Sequence, residues 1–460
     1  MKILSWVPHR RNVHFSALFK LRIGNSVDRA RAVVLVFMLC SLLMSTSMGV
    51  TIPVFAHLFK ESSSGLRNLS FMMMVPHLAM LILGPFIGEL EDRYGKRPFL
   101  LLGFVGLVVA DIGFLCVHAA GAYIGLRLFQ AVAGVGIMPA MMGMFADVVP
   151  SQQRTHHISL MMTGSAGGMT LGPVIGGFLL TRWGTIAPFG IAAILNFSVL
   201  CVVCIIIPRI FTNQPCQQQV FRRKVAVWRL SRDMLVPLMV PLSFLLGLLL
   251  LDFVSAFGQS FVAPQRSLYL YKVLHFTPMQ FGLLTSAHGL AMLLGLVTLS
   301  LWGERTNKRT TIVLGFLSHA FLIFSLLFVH QFISLFLISL FAGIGGGMVR
   351  PLLSAYYLDR TTPEHRSSLI GIKEAVTALG EITGSLTVVL ASAWLIPHRT
   401  FLLGGSIVVI ASMIAFIILK SHRIALPSPT TLAHAIHTDE ALNDMLPEVA
   451  LATEPEPTSR

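Results

Sequence analysis

Residues 32–59 read AVVLVFMLCSLLMSTSMGVTIPVFAHLF, and no lysine, arginine, aspartate or glutamate interrupts them. An α-helix rises about 1.5 Å per residue, so about 20 residues cross the ~30 Å hydrocarbon core of a bilayer. The run is therefore long and apolar enough for one membrane-spanning helix. A second uncharged run, residues 68–88, follows a short interval that contains Lys60, Glu61 and Arg67. The chain thus begins as membrane helices joined by short charged connections.

The composition extends this pattern to the whole chain of 460 residues. Hydrophobic residues make up 55% and charged residues 12%, whereas soluble domains contain about 25% charged residues. The net charge of +14 comes from short basic clusters between apolar runs, which indicates membrane topology rather than a nucleic-acid surface. The sequence contains no Walker, GxSxG or HExxH motif and no metal-ligand spacing. An enzyme, an ATP-driven pump and a metal site therefore have no support.

Twelve spanning helices are predicted. They cover residues 32–57, 68–90, 97–118, 120–146, 157–181, 184–207, 236–261, 277–301, 310–330, 331–357, 366–395 and 399–420. We expect five regions: a basic N-terminal segment (1–31), a first six-helix bundle (32–207), a connector (208–235), a second six-helix bundle (236–420) and an acidic tail (421–460). The tail is rich in proline and polar residues, which is typical of disorder.

The distribution of basic residues predicts the orientation. Only six of the 34 lysines and arginines lie in the odd-numbered connections between helices: Lys60, Arg67, Arg182, Arg266, Lys272 and Arg399. Arg127 lies within a span, and we assign the others to the side of both termini. Basic connections stay in the cytoplasm. Both termini are therefore predicted to be cytoplasmic.

An internal repeat relates the two halves of the chain. Residues 92–97, Asp-Arg-Tyr-Gly-Lys-Arg, are matched 212 positions later by residues 304–309, Glu-Arg-Thr-Asn-Lys-Arg. The pair Asp147 and Arg154 recurs at the same offset as Asp359 and Arg366. Glycine in the first copy and asparagine in the second both tolerate a left-handed turn. We therefore expect an all-α membrane protein of two pseudo-symmetric bundles, an arrangement typical of transporters that rock about a central site.

The connection after the second span resembles the signature of the major facilitator superfamily. It contains Gly88, Asp92, Arg93, Gly95, Lys96 and Arg97. Gly88 permits a close helix approach, Asp92 can face a helix N-terminus, and the basic residues anchor the cytoplasmic face. In that family the motif steadies the outward-facing state against the eleventh helix. There, Gly380 and Gly384 provide a small-residue face for the contact.

The fifth span is similar to the G-x-x-x-G-P-x-x-G-G signature of the twelve-helix drug:proton antiporters. The matching residues are Gly168, Gly172, Pro173, Gly176 and Gly177. Proline bends the helix and the glycines allow a neighbouring helix to approach at backbone distance. A second resemblance places Arg127 and Gln130 in a motif linked to proton movement. The glycine expected after that glutamine is an alanine here.

Proton coupling requires ionisable groups inside the membrane, where each is costly unless it is paired or functional. The candidates are Asp252, Glu381, Glu374, Arg127 and Asp111. Burial favours the neutral acid and a nearby arginine favours its anion. We rank Asp252 first and Glu381 second, with Arg127 as their charge partner. Asp111 ranks lower because the third helix is usually peripheral in this fold, and a structural ion pair remains an alternative for each.

These observations together predict a proton-coupled secondary transporter without a cofactor, driven by the proton gradient. Its expected cargo is a drug or small metabolite leaving the cell, with Arg350 and Gln130 as candidate substrate contacts. A proton symporter that imports a nutrient, an exporter of one metabolite such as a siderophore, and a non-transporting receptor remain open. We expect a monomer in a lipid bilayer, the bacterial plasma membrane, with small-molecule and proton partners and no nucleic acid.

Overall fold

The computed structural model describes residues 26–117, 119–148, 154–211, 242–302, 307–358 and 366–419. Within these ranges the chain forms thirteen α-helical segments and no β-strand. The first seven segments are α1 Ser26–Phe59, α2 Gly65–Tyr94, α3 Lys96–Cys116, α4 Ala120–Gly134, α5 Ile137–Val148, α6 Arg154–Trp183 and α7 Ile186–Phe211. The other six are α8 Leu242–Lys272, α9 Pro278–Trp302, α10 Lys308–Ser325, α11 Phe332–Leu358, α12 Arg366–Ala391 and α13 Pro397–Ile418.

The thirteen segments make twelve crossings, because α4 and α5 belong to one span that breaks at residues 135–136. In the described ranges, ten spans are long and apolar enough to cross a membrane, judged by length and composition alone. The remaining two are α6, which is rich in glycine, and α10, whose 18 residues begin with Lys308 and Arg309. Both pack within the bundles. The predicted fold of twelve membrane helices is confirmed.

Equivalent helices pack alike in the two halves. The first bundle contains α1 to α7 and the second contains α8 to α13. In the first, α1 packs on α6 and α7; in the second, α8 packs on α12 and α13. Two equivalent pairs join the bundles, α2 with α12 and α6 with α9. The domain boundaries within residues 1–25, 212–241 and 420–460 lie outside the described residues.

The seventh span differs from its prediction. Residues 236–261 were expected to form it, but α8 extends to Lys272, and residues 236–241 lie outside the described part. The prediction assigned Arg266 to a connection because a charge usually marks the end of a membrane helix. That assignment was wrong, since Arg266 lies inside α8. The helix accommodates the arginine because residues of α9, α10 and α11, among them His288, Leu322 and Ser339, line a cavity beside it.

The two copies of the repeat turn differently. Gly95 separates α2 from α3 with φ of +90°, which favours glycine. Asn307 instead has φ of −75°, and its side chain accepts a hydrogen bond from the backbone N–H of Arg309 at 3.1 Å. The expectation that asparagine would substitute for glycine in a left-handed turn was wrong. Asn307 is the N-cap of α10, a position that this residue favours.

The two ends of the molecule differ in how closely the bundles approach. We call the side where α1 begins and α13 ends the terminal face, and the other side the opposite face. Near the opposite face, the Tyr271 hydroxyl donates to the Pro53 carbonyl at 3.2 Å, and Lys272 Nζ donates to the Ser62 carbonyl at 3.3 Å. Near the terminal face, a Cβ added at Gly88 would meet no atom of the described residues within 4 Å. The same holds for a Cβ added at Gly371, at the terminal end of α12. In this conformation the described residues of the two bundles therefore close the opposite face and leave space around the terminal ends of α2 and α12.

Candidate functional site

A polar network is buried within the first bundle around Asp111 on α3, whose side chain has 0% exposure. Gln130 Nε2 donates to one carboxylate oxygen at 2.9 Å, and Asn196 Nδ2 donates to the other at 2.7 Å. The same Asn196 nitrogen also donates to the Ser47 hydroxyl at 2.9 Å. The carboxylate therefore links α3 to α4 and α7, and Asn196 extends the network to α1. Hydrogen bonds to a buried anion offset part of its desolvation cost.

Arg127 and Gln130 belong to this network. Arg127 Nη1 donates to Gln130 Oε1, and the guanidinium lies 5.4 Å from the ring centre of Phe55. The prediction that Arg127 would pair with Asp252 or Glu381 was wrong. The helix arrangement connects it through Gln130 to Asp111, the carboxylate that we ranked lower on the assumption of a peripheral third helix. Gln130, a candidate substrate contact, is buried and engaged at both ends of its amide.

Asp252 lies within the second bundle on α8 and is buried. The Tyr357 hydroxyl on α11 donates to its Oδ2 at 2.6 Å. Lys373 on α12 is also buried, and its Nζ contacts Glu374 at 2.9 Å. The Glu374 side chain itself is 64% exposed. Asp252 is therefore a buried acid on the second bundle's inner helices, whereas Glu374 lies on an accessible surface.

Glu381 lies between the two bundles. One carboxylate oxygen, Oε2, is 2.9 Å from Nε2 of His77 on α2 in the first bundle. The other, Oε1, is 3.4 Å from Nη2 of Arg350 on α11 in the second bundle. Both Glu381 and His77 lie near the middle of their spans. A carboxylate at mid-depth with a partner from each bundle responds both to protonation and to movement of the bundles.

The glycines of α6 face α1 in the same bundle. A Cβ added at Gly172 would lie 2.5 Å from Cα of Gly49 and 2.7 Å from the carbonyl oxygen of Thr46. One added at Gly168 would overlap the backbone of Leu42, and one at Gly176 the backbone of Val50. The helices therefore meet at backbone distance, as a small-residue stripe permits.

Pro173 and Gly177 lie on the side of α6 that faces the second bundle. The carbonyl of Pro173 is the nearest neighbour of a Cβ added at Gly282 of α9, and that of Pro278 is the nearest neighbour of one at Gly177. The Ser286 hydroxyl of α9 accepts a hydrogen bond from the N–H of Val174 at 3.0 Å. The antiporter-like motif therefore forms both the α1 contact and the contact between bundles.

The 88–97 motif lies at the terminal face. A Cβ added at Gly143 of α5 would contact the Lys96 side chain, while Arg93 lies 5.4 Å from the ring centre of Tyr94. Arg97 is exposed, and the Asp92 side chain lies outside the described part of the chain. The expected small-residue face is used elsewhere in this conformation. Gly380 and Gly384 pack on the backbone of Phe253 and Phe257 in α8. Their contact with the 88–97 motif concerns the outward-facing state and stays a prediction.

Sequence reasoning missed three polar partners of the predicted acids: His77, Asn196 and Tyr357. Asn196 is flanked by the apolar residues of α7, a signal that could have identified it, since an amide inside a membrane helix requires a partner. His77 is a single histidine among the apolar residues of α2. Its contact with Glu381 depends on how the two bundles meet, and no local pattern reports that arrangement.

Together, these features define a membrane transport protein: two matched helical bundles, a carboxylate between them and further buried acids inside each. The family model described as Major Facilitator Superfamily matches residues 37–251 and 248–447. The chain belongs to this superfamily, and it is a transporter rather than an enzyme.

Similar proteins include two curated relatives and a solved structure. The chain is 24% identical over 348 residues to the quinolone resistance protein NorA of Staphylococcus aureus (strain COL), covering 75% of this chain and 86% of the relative. It is 22% identical over 366 residues to multidrug resistance protein 2 of Bacillus subtilis (strain 168), covering 78% and 88%. The crystal structure of a D-xylose–proton symporter superposes with a TM-score of 0.66 at 18% identity, covering 85% and 98%. This last likeness concerns the fold.

Proposed function

We propose that this transporter exports small amphipathic molecules in exchange for protons by alternating access. The position of Glu381 carries the proposal, because this carboxylate contacts His77 of the first bundle and Arg350 of the second. A proton on Glu381 removes the charge that attracts Arg350 and changes the contact with His77. Protonation therefore alters the attraction between the bundles, which is the link that proton-driven alternating access requires.

The two buried aspartates support the same proposal in different ways. Asp252 has one hydroxyl donor, from Tyr357, and Asp111 has two amide donors. The more fully bonded Asp111 is suited to a structural role in the first bundle, since its network joins four helices. Asp252 retains more unused acceptor capacity. We therefore assign proton coupling to Glu381 and Asp252, with Arg127 and Gln130 positioning Asp111.

The direction of transport is inferred from similarity. The relatives named for quinolone and multidrug resistance are about a quarter identical to this chain, and the α6 motif resembles that of antiporters.

The bacterial sources of these relatives and the clustering of basic residues at the terminal face support a bacterial plasma membrane with cytoplasmic termini. A single chain supplies both bundles, which supports a monomeric transporter.

The test uses purified protein in liposomes that contain a pH-sensitive dye. A fluorescent quinolone and ethidium are each offered under an imposed proton gradient. We expect at least one compound to move against the proton flow and to dissipate the gradient. Asp252→Asn and Glu381→Gln should abolish this exchange, whereas His330→Gln, at an exposed site near the opposite face, should preserve it.

Two other results would contradict the proposal. Movement of a compound in the same direction as protons would establish a symporter instead. Exchange that persists unchanged in both Asp252→Asn and Glu381→Gln would remove these acids from the mechanism.

A further inference from the structure

We propose that His77 and Glu381 together form a proton-binding site that holds one shared proton in the present conformation. The inference deepens the proposed function, on which it rests, by assigning a partner to the coupling carboxylate. It uses a residue that neither the sequence motifs nor the family resemblance singles out. The two side chains come from α2 and α12, so the site exists only where the bundles meet.

The first step assigns the hydrogen on the imidazole ring. His77 Nδ1 lies 3.2 Å from the backbone carbonyl oxygen of Met73, one turn earlier on α2. A carbonyl oxygen only accepts hydrogen bonds, so Nδ1 must carry the hydrogen of this contact. A neutral imidazole has one N–H. In neutral His77, Nε2 is therefore without a hydrogen.

The second step concerns the contact of Nε2 with Glu381. Nε2 and Oε2 are 2.9 Å apart, a hydrogen-bond distance. If His77 is neutral and Glu381 ionised, both atoms present lone pairs and no hydrogen lies between them. One added proton removes this conflict. It resides either on Nε2, giving an ion pair, or on Oε2, giving a neutral pair in which the carboxyl group donates to the imidazole.

The surrounding charges determine how the pair responds to proton loss. Arg350 Nη2 lies 3.4 Å from the other oxygen of Glu381 and stabilises its anion. The Ser260 hydroxyl on α8 donates to the backbone carbonyl of Glu381, not to its carboxylate. Other charged groups on the neighbouring elements α4, α8 and α12 include Arg127, Asp252, Lys373 and Glu374. Each of these has another partner: Arg127 contacts Gln130, Asp252 contacts Tyr357, and Lys373 contacts Glu374. Arg266 and Lys272 lie farther along α8, towards the opposite face.

Proton loss therefore weakens the link between α2 and α12. The deprotonated pair brings two lone pairs together, while Arg350 keeps Glu381 charged. The present conformation, open around the terminal end of α2, is consequently favoured when the proton is bound. A rise in pH should shift the population towards a conformation in which the terminal face is closed.

Double electron–electron resonance, which measures the distance between two spin labels, tests this pH-dependent shift without a transported substrate. The five native cysteines are replaced by serine, and labels are placed at Leu90→Cys on α2 and Gly371→Cys on α12, both exposed near the terminal face. Distances are measured in lipid nanodiscs between pH 5 and pH 9. We expect a short-distance component to grow as pH rises. Its ratio to the long-distance component should change by up to about tenfold per pH unit for one proton.

Two near-isosteric variants provide the comparison. In Glu381→Gln, the amide donates to the bare Nε2 without a titrating proton, so the long distance should persist at every pH. In His77→Gln the pair is lost, and the ratio should no longer follow pH. His330→Gln, exposed near the opposite face, is the matched histidine control and should respond like the parent. Elution as a single species in size-exclusion chromatography verifies that each variant is folded.

The results separate this inference from the proposed function. A parental pH response in both His77→Gln and Glu381→Gln overturns the shared-proton site, even if exchange is seen in liposomes. A pH response that requires both residues supports the site, even if no offered compound is transported. An absence of any pH response in the parent also overturns it.

Discussion

Substitution of Gly172 by alanine tests whether α1 and α6 meet at backbone distance. The added Cβ would lie 2.5 Å from Cα of Gly49, 2.7 Å from the carbonyl oxygen of Thr46 and 2.8 Å from the carbonyl carbon of Gly49. Carbon atoms in favourable contact are about 3.5–4.0 Å apart. The overlap is therefore about 1 Å, and it involves backbone atoms that no side-chain rotation can move.

The expected cost follows from this overlap. Overpacking a well-filled interior costs about 1–3 kcal/mol, and the loss of flexibility from glycine to alanine in a helix returns up to about 1 kcal/mol. Subtracting the second value from the first leaves a net loss of up to about 2 kcal/mol in the free energy of unfolding. The melting temperature of detergent-purified protein should fall by several degrees in scanning fluorimetry.

Gly167 provides a matched control on the same helix. A Cβ added there would lie 3.4 Å from Cδ1 of Leu42, a flexible side-chain atom. Gly167→Ala should therefore leave the melting temperature unchanged or raise it slightly. If Gly172→Ala proves as stable as Gly167→Ala, the close α1–α6 contact does not exist in the folded protein and the interpretation of the α6 glycines is wrong.

Four further substitutions test other parts of the structure. Asp111→Leu leaves the amide donors of Gln130 and Asn196 without their acceptor, so thermal unfolding should show a loss of about 1–3 kcal/mol per donor; an equal melting temperature for Asp111→Leu and the parent would contradict the network. Gly95→Ala places a side chain at φ of +90° and should cost about 1–3 kcal/mol. Gly88→Ala, whose Cβ would meet no atom of the described residues, should leave the melting temperature unchanged or raise it slightly, because alanine favours a helix interior. Equal stabilities for the two glycine variants would refute the strain argument. Tyr357→Phe removes the donor to Asp252 and should slow proton-driven exchange in liposomes, whereas unchanged exchange would separate this hydroxyl from coupling.

The sequence alone predicted much of the fold because membrane insertion is governed by local composition. An uncharged run of about 20 residues specifies a spanning helix wherever it occurs. Such runs predicted the twelve spans, and the 212-residue offset predicted two related bundles. A predicted span boundary was wrong where a charged residue lies inside a long helix, as Arg266 does in α8. Such a residue is tolerated because neighbouring helices surround it, and the sequence of its own helix does not show those neighbours.

The candidate acids were also visible in the sequence, because an ionisable residue in an apolar run is conspicuous. Their partners were not visible. Asp111 acquires Gln130 and Asn196 from helices that lie 19 and 85 residues away in the chain. Glu381 acquires His77 from the other bundle. Such pairings depend on which helix faces meet, and a helix periodicity does not specify its neighbour.

Residues 32–59 show which properties the sequence determines by itself and which depend on tertiary packing. Its composition determined by itself that it would form a membrane helix, because every backbone group in lipid must find its partner within the helix. Its sequence did not determine that Gly49 would meet Gly172, or that Ser47 would join the network of Asp111. Those contacts follow from the packing of α1 against α6 and α7. Tertiary structure decided them because packing depends on the shapes of two helix surfaces at once.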